Sequence, residues 1–191
     1  MKKNFSKRRG QTLVEVMLAL SLLVVGMLGL LDLLSKSFYL DRVISDQTKA
    51  TYLAEEGVEL AKNLIDHDAY LGLAASGTEG GWGDCIGNIN GGTIKYQLDY
   101  TSMPDGPEAT ELNGCPQALQ GQPAPLYFNS STELYSQQPI GTMTNFTRVI
   151  KVTQETPYEF DVQSIVTWST GAITSQSLDL EDTFYNWYQA P

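Results

Sequence analysis

Cysteine and histidine are scarce in this sequence. Its 191 residues include two cysteines and one histidine, and neither a G-x-S-x-G motif nor a P-loop occurs. Neighbouring acids such as Glu55-Glu56 and Glu181-Asp182 are predicted to be solvated faces or helix ends, and no EF-hand spacing is present. The sequence therefore predicts no enzyme, no cofactor and no metal site, and an exported enzyme is the weakest interpretation of it.

Positive charge is scarce outside the N-terminus. The chain has 12 Lys and Arg residues against 22 Asp and Glu residues. Five of the cations lie within residues 1–10, a segment without acids: Lys2, Lys3, Lys7, Arg8 and Arg9. Without this segment seven basic residues remain against 22 acidic ones, a formal charge of −15. A surface that acidic disfavours nucleic acid and anionic lipid headgroups as direct partners.

No charged residue occurs from Val16 to Leu31. With Leu13, Val14 and Leu33 the apolar run reaches about 20 residues, which at ~1.5 Å per helical residue matches a hydrocarbon layer of about 30 Å. The basic tail is expected to stay on the cytoplasmic side of the membrane by the positive-inside rule. The sequence thus predicts one membrane-spanning helix in the cytoplasmic (inner) membrane, with the C-terminus outside.

Three other interpretations of this region compete with that one. A secretory signal has an apolar core of about 7 to 15 residues before a small-x-small cleavage site, and Ser35-Lys36-Ser37 fits such a site only loosely. A buried helix of a soluble protein needs no basic tail. A plain membrane anchor leaves Glu15 unexplained, because a carboxylate at membrane depth costs about 2.5 to 3.5 kcal/mol.

Gly10 is followed five residues later by Glu15, between the basic tail and the apolar helix. This order resembles the processing motif of type IV pilin-like proteins, the family that includes type IV prepilins, minor pilins and type II secretion pseudopilins. The resemblance implies that a membrane aspartyl peptidase, prepilin peptidase, cuts between Gly10 and Gln11 and that the new N-terminus is methylated. Gln11 departs from the Phe or Met common at that position of the family.

The resemblance also implies a role for Glu15. Cleavage removes five cations and creates an α-amino group on Gln11, close to Glu15 of the same chain or of a neighbouring subunit. Two unit charges about 4 Å apart attract by roughly 4 kcal/mol at an effective dielectric constant near 20. Since pairing across subunits requires them to be in register, Glu15 is expected to set the axial stagger of a helical filament.

Residues 35–66 are predicted to continue the helix. They contain no proline, and their apolar residues recur with a period of about 3.6. We expect one side of this amphipathic segment to pack on a globular head and the other side to face neighbouring subunits. The predicted organisation is a leader over residues 1–10, a transmembrane and filament-core helix over 11–34, its amphipathic continuation over 35–66, and an extracytoplasmic β-rich head over 67–191.

Alternation of polar and apolar residues predicts an antiparallel sheet in the head. Strands are expected over residues 93–100, 126–128, 146–153, 158–168 and 172–180, with a turn at Thr156-Pro157 and a hairpin loop at Ser169-Thr170-Gly171. The remainder of 102–144 is predicted to be irregular, and the aromatic residues within 184–188 are expected to pack on the fold. A helix followed by a run of antiparallel strands predicts the α+β class, with the sheet packed on the helix.

Cys85 and Cys115 lie in loop-like sequence rich in Gly, Asn and Pro. Beyond the membrane anchor they meet an oxidising compartment, and we expect a disulfide between them. It closes a loop of about 30 residues and contributes roughly 3 to 4 kcal/mol in the chain-entropy model. Two distant thiols with His67 alone do not form a zinc pattern.

Short features of the second half are similar to minor pilins of the class that includes the type II secretion I-subunit: Val166-Thr167-Trp168, Asn186-Trp187, and residues 53–59 in the helix. The resemblance implies a minor pilin or pseudopilin of a type IV pilus or type II secretion-like filament. Its implied partners are prepilin peptidase, other pilin subunits, and an assembly platform with its ATPase. The alternative is a membrane-anchored extracytoplasmic binding domain that keeps residues 1–10 and does not polymerise.

Overall fold

A computed structural model of the protein describes residues 11–74, 92–100, 123–170 and 175–186. A single helix of 64 residues, α1 (Gln11–Ala74), comes first. It extends beyond the predicted end at Asp66. The chain divides into two compact units, Met1–Ser45 and Asp46–Pro191, and α1 contributes to both of them.

In the described residues of the second unit, six strands form an antiparallel sheet. The strands are β1 (Thr93–Tyr96), β2 (Ala124–Asn129), β3 (Leu134–Ser136), β4 (Thr142–Thr156), β5 (Glu159–Ser169) and β6 (Ser175–Tyr185). Their order is β3-β2-β4-β5-β6, and β1 also pairs with β4. Because β5 occupies one edge of β4, β1 and β2 share the other edge, with β1 opposite Ile150–Thr153 and β2 opposite residues nearer the start of β4.

The predicted α+β class is confirmed by this architecture. Three predicted strands correspond to β2, β4 and β5, and the predicted turn at Pro157 joins β4 to β5. β4 begins earlier and ends later than predicted, and β6 runs through Tyr185 rather than ending at Leu180. Residues 171–174, which include part of the predicted hairpin loop, lie outside the described residues.

Two strand predictions were wrong in detail. The strand expected over residues 93–100 ends at Tyr96, because Leu98 and Asp99 turn into the interior and are buried. The stretch 102–144 was expected to be irregular apart from one strand, yet it also contains β3 and the start of β4. β3 is held by pairing with β2 and by a ring contact between Phe128 and Tyr135, whose centroids are 5.0 Å apart, so local sequence does not reveal it.

One face of the sheet packs against the α1 residues of the second unit. Every second residue of β5, from Phe160 to Trp168, is buried on that face. Two apolar clusters result. The first combines Leu60, Ala61, Leu64 and Ile65 of α1 with Tyr96, Leu98, Ile150, Val152, Phe160 and Val162. The second combines Ala50, Leu53 and Ala54 with Leu126, Phe146, Val166 and Trp168.

The opposite face of the sheet is polar. Thr93 and Thr153 hydroxyls are 2.9 Å apart, and Thr147 hydrogen-bonds Thr167 across β4 and β5. Phe184 of the predicted aromatic tail packs against the first cluster. Trp187 and Tyr188 lie outside the described residues.

Candidate assembly site

The first part of α1 presents apolar side chains in all directions. The sixteen large apolar residues from Leu13 to Leu34 are each 53–73% exposed. A helix that is apolar all round is stable in lipid or within a larger assembly, not in water. In the described part of the chain, α1 over Thr12–His67 is the one helix long and apolar enough to cross a membrane. The exposed apolar surface is consistent with membrane anchoring.

Glu15 is the carboxylate within this apolar surface. It is exposed and lies four residues after Gln11, where α1 begins, so that the two positions are on the same side of the helix. No described basic side chain forms an ion pair with it. Gly10 and the side chain of Gln11 lie outside the described residues.

An ion pair lies at the C-terminal end of the apolar run. Lys36 Nζ is 2.9 Å from Asp32 Oδ2, an i,i+4 pair in which both side chains are largely exposed. The two opposite charges neutralise each other where the helix leaves its apolar stretch. Glu15 differs because it is separated from basic side chains of the described helix by the whole apolar run.

The second part of α1 meets a buried arginine of the sheet. Arg148 of β4 is fully buried, and one of its terminal nitrogens donates to the Leu53 carbonyl at 2.8 Å and to Glu56 Oε2 at 2.9 Å. The other terminal nitrogen donates to the Leu98 carbonyl at 2.7 Å. The guanidinium therefore ties α1 and the segment after β1 to the centre of the sheet. Such a charge is tolerated inside a protein only when paired and hydrogen-bonded.

Gly57 makes this close approach possible. A Cβ atom at this position would lie 2.3 Å from Ser164 Oγ and 3.2 Å from Arg148 Cδ, and real Cβ atoms do not come that near. Gly57, Ser164 and Arg148 form a polar belt between the two apolar clusters. The spacing of α1 from the sheet is fixed there.

A second polar contact joins the segment after β1 to β3. Asp99, which is buried, accepts hydrogen bonds from Ser136 Oγ and from the Gln137 amide, both at 2.9 Å. Burial raises the pKa of the Tyr135 phenol, and the Glu56 carboxylate raises it further. The Gln137 side chain also donates to the Arg148 carbonyl at 3.4 Å, and Arg148 itself donates to the Leu98 carbonyl. Residues next to β3 and β1 are thus joined to Arg148 of the polar belt.

Arg148 was missed by the sequence predictions, although its pattern could have revealed it. It occupies an inward position in β4 between Phe146 and Ile150, where the alternation predicts an apolar residue. A basic residue at an inward strand position requires an acid or several carbonyls opposite. Residues 53–59 of α1, singled out above for a family resemblance, supply both Glu56 and the Leu53 carbonyl.

Metal-binding arrangements are absent from the described residues, where no group of three or more His, Cys, Asp and Glu side chains converges. Cys85 and Cys115 lie outside the described residues, and their disulfide stays a prediction.

Comparison with known proteins gives one result for the N-terminus. Residues 5–31 match the family described as the prokaryotic N-terminal methylation motif, whose members have a structural role rather than an enzymatic one. No curated protein and no solved structure matches the chain. The protein therefore carries the N-terminal methylation motif characteristic of type IV pilins and pseudopilins, in front of a pilin-like α+β architecture.

Proposed function

We propose that this protein is a structural subunit, a minor pilin or pseudopilin, of a type IV pilus or type II secretion-like filament. Prepilin peptidase cuts after Gly10, the amine of Gln11 becomes the N-terminus and is methylated, and an ATPase-driven platform moves the subunit from the inner membrane into a cell-surface or periplasmic filament. The protein has no catalytic task of its own. Its partners are other pilin subunits, and its acidic surface disfavours direct binding of nucleic acid.

The observation that carries this proposal is Glu15 in an exposed apolar surface. The carboxylate stands at the fifth position after the predicted cut, and no described cation neutralises it. A carboxylate in the hydrocarbon costs about 2.5 to 3.5 kcal/mol. The new α-amino group at Gln11, from the same or a neighbouring subunit, offsets that cost by roughly 4 kcal/mol at 4 Å and an effective dielectric constant near 20.

The exposed apolar side chains supply the attraction between subunits. They are covered by lipid before assembly and by the equivalent helices of neighbouring subunits afterwards. Apolar contact alone does not select one axial offset, because neighbouring positions of the helix are similarly apolar. The amine and carboxylate pair selects the offset, since it forms only when one subunit is placed correctly against the next.

The N-terminus of the protein in sheared surface or periplasmic fibres tests the proposal. Mass spectrometry is expected to find a chain that begins at Gln11, and Gly10→Val is expected to leave residues 1–10 attached and to remove the protein from the fibres. Gly10→Ala is the matched milder variant, with partial processing expected. Fibres that contain the unprocessed chain, or a processed N-terminus that is the same in Gly10→Val, contradict it.

The alternative function, a membrane-anchored binding domain, predicts a different distribution. Such a protein keeps residues 1–10, stays in the membrane fraction and is missing from sheared fibres. Fractionation followed by the same N-terminal analysis separates the two functions.

A further inference from the structure

Strands β1 and β6 lie on opposite sides of the sheet, and they carry side chains of opposite charge in the same row of residues across it. β6 ends the sheet on one side. On the opposite side β1 lies next to the second half of β4, while β2 pairs with the first half and carries β3 one strand further out. Within the described residues no strand pairs with the outer edge of either one. Exposed edges present unpaired N–H and C=O groups and act as templates for another strand.

Hydrogen bonding identifies which residues present these groups. The Asn186 amide donates to the Tyr158 carbonyl at 2.8 Å, and the register of β5 with β6 is constant from there. In an antiparallel ladder, hydrogen-bonded pairs alternate with pairs whose backbone groups point away. The backbone groups of Asp179 and Glu181 therefore point to the outer edge of β6.

The same reasoning applies to β1. The Gln154 amide donates to the Gly92 carbonyl at 3.3 Å, and the register continues through Ile94 opposite Val152. The outward backbone groups of β1 therefore belong to Thr93 and Lys95.

Side chains of opposite charge accompany the outward groups. Lys95 on β1 and Glu181 on β6 are both exposed, and both lie on the polar face of the sheet, away from α1. They end one row across the sheet, in which Lys95 is opposite Lys151, Lys151 is opposite Gln163, and Gln163 is opposite Glu181. The half-buried apolar residues Ile94 and Leu180 lie on the other face.

Because β1 and β6 run in opposite directions, they can pair as antiparallel strands between two copies that have the same orientation. β1, β4, β5 and β6 are each antiparallel to the next, so β1 runs antiparallel to β6. If a second copy is placed beside the first without rotation, its β1 continues the sheet beyond β6 as an antiparallel strand, and both copies keep α1 on the same side. At zero stagger Ile94 is opposite Asp182, Lys95 is opposite Glu181, and Tyr96 is opposite Leu180. Thr93 is opposite Thr183, whose amide donates to Asp182 Oδ1 at 2.9 Å and has to exchange that bond for one across the edge.

We propose that neighbouring copies of this chain associate through these two different edges. β1 of one copy is added to β6 of the next, and Lys95 lies opposite Glu181. The inference rests on the proposed function as a filament subunit. Such a contact joins two different surfaces and does not close on itself, so it propagates along an open assembly. A two-fold pairing of β6 with β6 is disfavoured because Asp179 and Glu181 would face carboxylates of the partner.

Cysteine cross-linking of the full chain in fibres from host cells tests the contact. In a hydrogen-bonded antiparallel pair the Cα atoms are about 5.5 Å apart, which suits a disulfide. Lys95→Cys combined with Glu181→Cys is expected to give a ladder of dimers and higher oligomers of this chain under mild oxidation. Each single variant reports exchange with Cys85 or Cys115, and Lys95→Cys combined with Glu155→Cys is the matched control without a ladder.

Charge exchange provides a second measurement. Lys95→Glu or Glu181→Lys alone is expected to lower the amount of the protein in sheared fibres about threefold to fivefold, and the two changes together are expected to restore it. Processed fibres without a ladder, or cross-links to a different subunit only, overturn the edge contact and leave the proposed function standing. Absence of the protein from fibres in the unmodified chain overturns both.

Discussion

The two parts of α1 handle charge in opposite ways. In the second part, the Glu56 carboxylate meets the buried Arg148 guanidinium at 2.9 Å within the same fold. In the first part, Glu15 has no such partner among the described residues, and the apolar side chains around it are exposed. Among the described residues, the second part of α1 therefore finds a partner for its charge within the head, whereas the apolar side chains of the first part are left exposed. The same helix therefore has a packed, charge-paired surface in its second part and an exposed apolar surface in its first part.

Removal of Arg148 is expected to have the largest effect on the head. Arg148→Ala leaves the Leu53 and Leu98 carbonyls without their donor and opens a cavity, and we expect the free energy of unfolding to fall by about 3 kcal/mol. Thermal unfolding of the full chain in detergent, followed by near-ultraviolet circular dichroism, measures it. Lys151→Ala, on the polar face of the same strand, is the control and should change stability by less than about 0.5 kcal/mol.

A side chain at position 57 tests how closely α1 approaches the sheet. Gly57→Ala gains roughly 1 kcal/mol of helix propensity but places a methyl group against Ser164 Oγ, at 2.3 Å before relaxation. We expect a net loss of about 1 to 2 kcal/mol. The same unfolding measurement should show partial recovery when Ser164→Gly is added. An equal loss in the double variant would show that the crowding is elsewhere.

Substitution of Asp99 probes the weaker closing contact. Asp99→Asn keeps the shape of the side chain but loses the charge that accepts from Ser136 and the Gln137 amide. We expect a loss of about 1 kcal/mol, since hydrogen bonds to charged groups are stronger than neutral ones. Hydrogen exchange of the Gln137 amide measures the local effect. Unchanged protection of that amide would contradict the assignment.

Glu15→Leu is expected to have the smallest effect on the head and a large effect on assembly. Since Glu15 belongs to the other compact unit, the free energy of unfolding of the head should change by less than about 0.5 kcal/mol. Membrane insertion should persist, and the amount of protein in sheared fibres should fall strongly. Glu15→Asp retains the carboxylate and should retain part of the incorporation. Normal assembly of Glu15→Leu would refute the register mechanism.

The hydrophobic pattern of the sequence predicted those parts of the fold that depend on local sequence alone. The uncharged run after Glu15 predicts a helix of lipid-spanning length, and the strict alternation of β5 from Phe160 to Trp168 predicts a strand buried on one face. Both patterns are local. They are visible without knowledge of what lies opposite, which explains why the α+β class and most strands were predicted correctly.

The remaining features depend on contacts between distant residues. β3 has three residues and exists because β2 supplies its hydrogen-bonding partners. The role of Gly57 depends on Ser164, more than 100 positions away in the sequence, and Arg148 depends on carbonyls of α1 and of the segment after β1. The N-terminal methylation motif was predicted from sequence because its information lies in the order of a few neighbouring residues, with Gly10 and Glu15 among them.

The three acceptors around Arg148 have a consequence for the order of folding. They come from the helix and from the segment after β1, so the guanidinium cannot leave water favourably until both are in place. Burial of an arginine with only one of these acceptors is costly. Conformations in which α1 is only partly packed on the sheet are therefore high in free energy. The burial of Arg148 and the packing of the helix on the sheet are therefore expected to depend on each other.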